Sequence, residues 1–187
     1  VAILHVSKVF AIKEARIAKL LTDPPAAPPA TWGTSVPLTG AKKLTISGTV
    51  DTKYLRGDNV YLDSDTVWAG PLNFAIDHAK LNLDALAVLF STAVVDSGVT
   101  PNQLATWAML NTDVVQYFKL EARSASADIL TGDVLFSFWK CKLTAFPTLG
   151  LAEEDYQIPA LAGTAVPLRA DGRWFTPVIR ETAVALA

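Results

Sequence analysis

Lys43–Asn59 reads KLTISGTVDTKYLRGDN. One parity carries Leu44, Ile46, Gly48, Val50, Thr52 and Tyr54, and the other carries Thr45, Ser47, Thr49, Asp51 and Lys53. Successive strand residues point to opposite faces, so the pattern predicts a single strand with one apolar and one hydroxyl-rich face. At ~3.3 Å per residue, Leu44 to Tyr54 would span roughly 36 Å, about twice an ordinary strand. A strand of that length belongs to a broad antiparallel sheet set against water or a channel.

Upstream, Val1–Leu21 mixes weak alternation at Val6, Lys8, Phe10 and Ile12 with helical spacing at Phe10, Ile17 and Leu21, and strand is the preferred reading. Thr22–Gly40 (TDPPAAPPATWGTSVPLTG) holds five prolines and is expected to cross the surface as a long loop, with Trp32 docked on this subunit or a neighbour. Downstream, Arg56–Asn59 forms a turn, and Val60–Trp68 and Leu72–Ala79 read as strands joined at Gly70-Pro71. One helix is predicted, capped by Asn82, with Asp84 in its first turn and Leu83, Leu86, Ala87 and Phe90 as its stripe, ending near Ser91. Val88 and Leu89 widen that stripe, so the helix should be packed on more than one side.

A strand remnant at Val94-Val95 precedes expected strands at Leu104–Leu110, Val114–Ser124, Val134–Thr144, Val166–Leu168 and Trp174–Ala185, with turns at Gly132-Asp133 and Asp171-Gly172. Val134–Thr144 is apolar on both faces (Val134/Phe136/Phe138 and Leu135/Trp139/Cys141/Leu143), which places it centrally or against another subunit. Many strands and one helix make the expected class mainly β: an antiparallel β-sandwich or barrel with one flanking α-helix. The expected organisation is a single domain, 1–187, with the proline-rich loop 22–40 and a C-terminal strand or arm 173–187.

At 187 residues the chain can bury about 70% of its unfolded surface, and it needs no staples. A hydrophobic fraction of 51% fits either a large core or apolar faces covered by other subunits. The net charge of −2 is spread along the chain without a basic run, which argues against tight electrostatic binding of nucleic acid. A single cysteine, Cys141, leaves no intramolecular disulfide and fits synthesis in a reducing compartment. No signal-peptide layout and no membrane-length apolar run are read, so a soluble chain is expected. The only methionine is Met109, and removal of an initiator or processing is expected.

The chemistry-bearing motifs are thin. Arg56-Gly57-Asp58 spells an adhesion tripeptide, but a turn at a strand end is the preferred reading, since short motifs match by chance and nothing points to secretion. Asp58, Asp63 and Asp65 could gather around a hard cation, though their spacing is not that of a calcium loop and acidic residues are common in turns. His5 and His78 lack partners at zinc-ligand spacing, and Cys141 next to Trp139 reads as a small core hydrophobe. Glu153 and Glu154 are adjacent, so in a strand they face opposite ways. No nucleophile elbow, phosphate loop, dinucleotide fingerprint or metalloprotease motif occurs. The expectation is therefore no enzyme, with no catalytic residue, cofactor or metal.

Four stretches together resemble the major tail-tube proteins of long, non-contractile-tailed bacteriophages. They are TKYLRGDN at Thr52–Asn59, AKLNLDALAVL at Ala79–Leu89, GDVLFSFWKCKLT at Gly132–Thr144, and Leu149-Gly150 followed by Glu153-Glu154-Asp155-Tyr156. In order and spacing the resemblance covers roughly Val6 to Leu168. It implies a β-sandwich with a flanking helix and hexameric rings whose inner strands join into one barrel. The rings stack into a tail tube, a structural virion part assembled in the bacterial cytoplasm that conducts the genome at ejection. The implied partners are other copies of the chain, the tape-measure protein in the lumen, the tail terminator and the distal tail proteins. Double-stranded DNA passes transiently and non-specifically, and the chain does not insert into a membrane.

On that reading Thr45, Ser47, Thr49 and Asp51 would line the bore, with Lys53 near its rim, and phosphates would find no cationic row to grip. Leu44, Ile46, Val50 and Tyr54 would pack inward under Leu86 and Phe90. Trp32, Leu55, Arg56, Asp58, Asn59, Trp174 and Phe175 are the candidates for contacts between subunits or rings. Two alternatives stay open: a tube subunit of a contractile tailocin or secretion system, and a monomeric ligand-binding β-sandwich.

Overall fold

The computed structural model describes residues 5–57, 60–68, 70–126, 128, 131–150 and 158–186, with the backbone alone at 10, 54–57 and 60–68. The elements run β1 (Val9–Thr22), β2 (Thr31–Pro37), β3 (Ala41–Ser47), β4 (Val50–Gly57), β5 (Val60–Trp68), β6 (Leu72–His78) and α1 (Leu83–Phe90). They continue with β7 (Val95–Ser97), β8 (Leu104–Thr106), β9 (Phe118–Ser126), β10 (Asp133–Leu143), β11 (Ala160–Ala165) and β12 (Phe175–Arg180).

An eight-stranded antiparallel sheet has the order β2-β1-β9-β10-β11-β6-β3, with β12 beside β10. The long β10 is shared: Asp133–Phe138 ladders with β12, and Cys141–Leu143 with β11. Beyond it the sheet folds back over itself. In a flat sheet β6 would stand about 14 Å from β9, three strand spacings away. Instead Phe74 of β6 meets Phe118 of β9 edge-on at 6.0 Å and Phe138 of β10 at 5.8 Å. The protein is thus a mainly-β, sandwich-like fold with one helix, and β3 and β2 end the sheet without closing it into a barrel.

Strand alternation builds the core. In β9, Phe118, Leu120 and Ala122 turn inward while Lys119, Glu121 and Arg123 turn outward. Asn82 caps α1, its side-chain oxygen accepting from Asp84 N (2.9 Å) and Ala85 N (3.2 Å) while its amide donates to Pro37 O (2.8 Å), which fixes the helix start to the end of β2. Ala85, Leu86, Leu89 and Phe90 are the buried helix face, and Ser91 ends the helix in a left-handed conformation. The buried face lies slightly around the helix from the predicted stripe, and Asp84 is its one exposed residue.

Several expectations need correction, and the strand expected at Val166–Leu168 is one: the chain ladders at Ala160–Ala165 instead. Lys43–Asn59 is not one strand: β3 stops at Ser47, the chain breaks at Gly48-Thr49, and β4 pairs with β5 alone. Glycine, weakest in a strand interior, falls at the break. Val50, expected inside, is 57% exposed as a result. The proline-rich stretch is not a single loop either, because Thr31–Pro37 pairs with β1 and the connector shortens to 23–30. The four prolines from Pro24 to Pro29 lie in that connector, and Pro37 closes an end strand, where a missing N–H costs least. Finally, β10 does not keep its parity: a register shift between Phe138 and Cys141 turns both inward and leaves Trp139 outside.

Candidate functional site

β3 ends the sheet. It ladders with β6 through Lys43↔Asp77, Leu44↔Ile76, Thr45↔Ala75, Ile46↔Phe74 and Ser47↔Asn73, and among the described residues no strand ladders with its other side. Leu44 and Ile46 pack against the core, while Lys43, Thr45 and Ser47 share the exposed outward face. Of the four residues predicted to line a bore, the structure therefore brings Thr45 and Ser47 together. Thr49 lies in the break after β3, and Asp51 is exposed on β4, after the chain has left the sheet. Lys43 joins the hydroxyl face as a cation that the sequence reading did not weigh.

β4 and β5 form a hairpin outside the main sheet, paired only with each other. Eight residues of β4 at ~3.3 Å each make an arm of about 26 Å. Leu55 and Arg56 fall at a register shift within it. Asp58 and Asn59 lie outside the described residues, as do Glu153–Tyr156.

The aromatic candidates are anchored within their own chain. Trp32 lies 5.5 Å from Trp139, donates Nε1–H to its carbonyl oxygen (3.2 Å), and has Lys119 Nζ 5.2 Å from its ring. Arg173 covers the Trp139 ring at 4.6 Å. Phe175 stacks on Phe136 at 6.0 Å and meets Phe138 at 4.8 Å, while Trp174 O accepts from Trp139 N–H. Trp32, Trp174 and Phe175 are each partly buried.

Sequence reasoning missed a charged cluster under the C-terminal stretch. Arg180 grips buried Asp133 with Nε to Oδ1 (2.5 Å) and Nη2 to Oδ2 (2.6 Å), and Val184 N–H donates to the same carboxylate. Arg123 bridges Asp133 (3.6 Å) to Glu14 (3.3 Å), and Glu14 also accepts from Arg16 Nε (2.8 Å) and Leu186 N–H (3.2 Å). Burial alone would push the Glu14 carboxyl up, but Arg16, the Leu186 amide and Arg123 together hold it below its ordinary value. Asp23 behaves alike: burial raises it, and Lys140 with the Arg169 amide outweighs that. The cluster ties the residues after β12 back onto β1 and β10, so Leu186 is buried. Its only trace in the sequence is charge inside otherwise apolar strands.

The excursion between α1 and β9 was also underestimated. Among the described residues β7 and β8 pair with each other alone, and all six of their residues are exposed. Val95, Val99, Leu104, Met109, Leu110 and Val114 are exposed along it. Trp107 holds the segment to the helix through Phe90 (5.7 Å). An opening of about 460 Å³ beside it is lined by Asp96, Ser97, Gly98, Gln103, Leu104 and Ala105.

Groups that could react are placed for packing. Burial pushes the Cys141 thiol far up, away from the thiolate form a nucleophile needs. His78 is 4% exposed, its Nδ1 has no hydrogen-bond partner among the described residues, and burial lowers its pKa against a smaller opposing pull from Asp77. Among the described residues no three His, Cys, Asp or Glu side chains gather as a metal site. The carboxylates of Asp58, Asp63 and Asp65 lie outside the described side chains. Among the described residues no helix is long and apolar enough to cross a membrane. Compared with known proteins, the chain matches no family model and no curated protein.

Proposed function

We propose that the chain is a tube subunit, a structural protein whose copies form rings that stack into the tail tube of a long-tailed bacteriophage. The observation that carries this reading is the open sandwich: β3 ends the sheet with an unused ladder edge and a hydroxyl-bearing outward face. Free edges and exposed apolar side chains make a lone copy prone to associate, and a ring supplies the missing neighbours. Thr45 and Ser47 then face the bore, with Thr49 and Asp51 continuing toward its rim. The β4–β5 arm, which carries Leu55 and Arg56 on β4, reaches the next ring. Trp32, Trp174 and Phe175, each only partly buried, meet neighbouring subunits. The tape-measure protein, terminator and distal tail proteins are the partners of such a tube, and DNA passes through without being gripped.

Sedimentation velocity and negative-stain microscopy of the purified protein test the reading. It requires hollow rings or tubes at raised protein concentration. Monomers alone under all conditions would leave the monomeric ligand-binding sandwich as the better account.

A further inference from the structure

The β7–β8 hairpin has too little to hold it in place on its own chain. A lone two-stranded hairpin is marginal in water, and this one exposes both faces. Its register, Val95↔Thr106, Asp96↔Ala105 and Ser97↔Leu104, puts Val95 and Leu104 on one face and Asp96 on the other. From Leu81 to Phe118 the chain contains no lysine or arginine, so the excursion is apolar and weakly acidic.

A surface of opposite character lies where β3 comes beside the first half of β1. Leu38, in the turn between β2 and β3, donates its N–H to Ala15 O (2.8 Å), which brings the start of β3 alongside β1. Toward Val9 and Ile46 they leave a groove of about 330 Å³, floored by Ile12, Leu44, Ile46 and Phe136 and rimmed by Lys42 and Lys43. Among the described residues neither lysine meets a carboxylate, and Asp96 meets no cation.

We propose that the β7–β8 hairpin of one copy docks on the free edge of β3 of the next copy. Added as a strand, it carries Val95 and Leu104 onto the Leu44/Ile46 side, into the groove, and sets Asp96 on the outward side beside Lys43. The strand alternation of both partners satisfies the apolar and the charged match at once. The two patches differ, so the contact is head-to-tail and propagates around a ring. It rests on the ring reading and names the side-by-side contact within it. It also brings a neighbour's Asp96 to Lys43, whose ladder partner on β6 is Asp77.

Asp96→Cys and Lys43→Cys, made as separate variants, mixed and oxidised, test the contact, with buried Cys141 out of reach. The mixture should give disulfide-linked dimers that neither variant gives alone in comparable yield, and the double variant should give ladders. Lys43→Glu should weaken assembly at least about tenfold, and Asp96→Lys in the same chain should restore it. Unchanged thermal melting of these surface variants would show that the fold is intact. Rings in the microscope without the mixed cross-link, or a Lys43→Glu variant that assembles normally, would overturn the contact while leaving the ring standing. Absence of both rings and cross-links would remove both.

Discussion

Asp133 is 2% exposed and holds the bidentate Arg180 pair together with the Val184 amide. Removing one partner of a buried ion pair leaves the other charge uncompensated, so Asp133→Ala should cost about 3 kcal/mol, read as a lower urea midpoint. An unchanged midpoint would contradict the role given to this cluster. His78 sets the pH response near neutrality. Burial holds its folded-state pKa below the ordinary imidazole value, so in the window between the two the unfolded chain binds the extra proton. Stability is full above ~6.5 and falls as the pH drops through that window, so the urea midpoint should be lower at about pH 5.5 than at about pH 7.5. His78→Gln should flatten that difference. Glu14 and Asp23 are held below their ordinary values too, so they act with the same sign, and they add their loss only as the pH falls through the carboxylate range near ~4. None of this was legible from sequence, where Asp133 read as half of a turn and His78 as a lone histidine. Burial and partners come from strands far apart in the chain.

At the scale of elements, periodicity located β1, β5, β6, α1, β9 and β10, because each has its own alternation or helical stripe. It failed where the partner strand decides. The single parity of Leu44 to Tyr54 runs through Gly48 unchanged, yet the chain leaves the sheet there, and parity cannot report which neighbour a strand ladders with. The slip in β10 is similar: Phe138 and Cys141 lie three residues apart and both turn inward, which needs the irregular pairing with β9. Gly163 in β11 shows how tightly these layers meet. A Cβ there would stand 2.4 Å from Lys142 O and 2.7 Å from Phe74 Cζ. Backbone cannot yield cheaply, so Gly163→Ala should force β11 away from β10 and cost about 1–3 kcal/mol in thermal unfolding. A melting temperature equal to the parent's would show that the two strands are less closely held than described.

For the molecule as a whole, the class was readable from turn spacing and the count of strand-like runs, whereas the surfaces were not. Thr45 and Ser47 could be assigned a shared face from alternation alone. Lys43 shares that face too, and its weight appears only once β3 is seen to end the sheet. The β7–β8 hairpin carries no sequence pattern stronger than a missing set of cations, so its exposure had to come from the fold. The β3 edge, the β4–β5 hairpin and the β7–β8 hairpin have one feature in common: among the described residues each lacks a further ladder partner, which the proposed ring would supply. Electron cryomicroscopy of the assembled protein tests this most directly, by locating β3 within the particle. The account predicts a hollow ring or tube with Thr45 and Ser47 facing its central channel; a particle in which they face outward, or a field of monomers only, would contradict it.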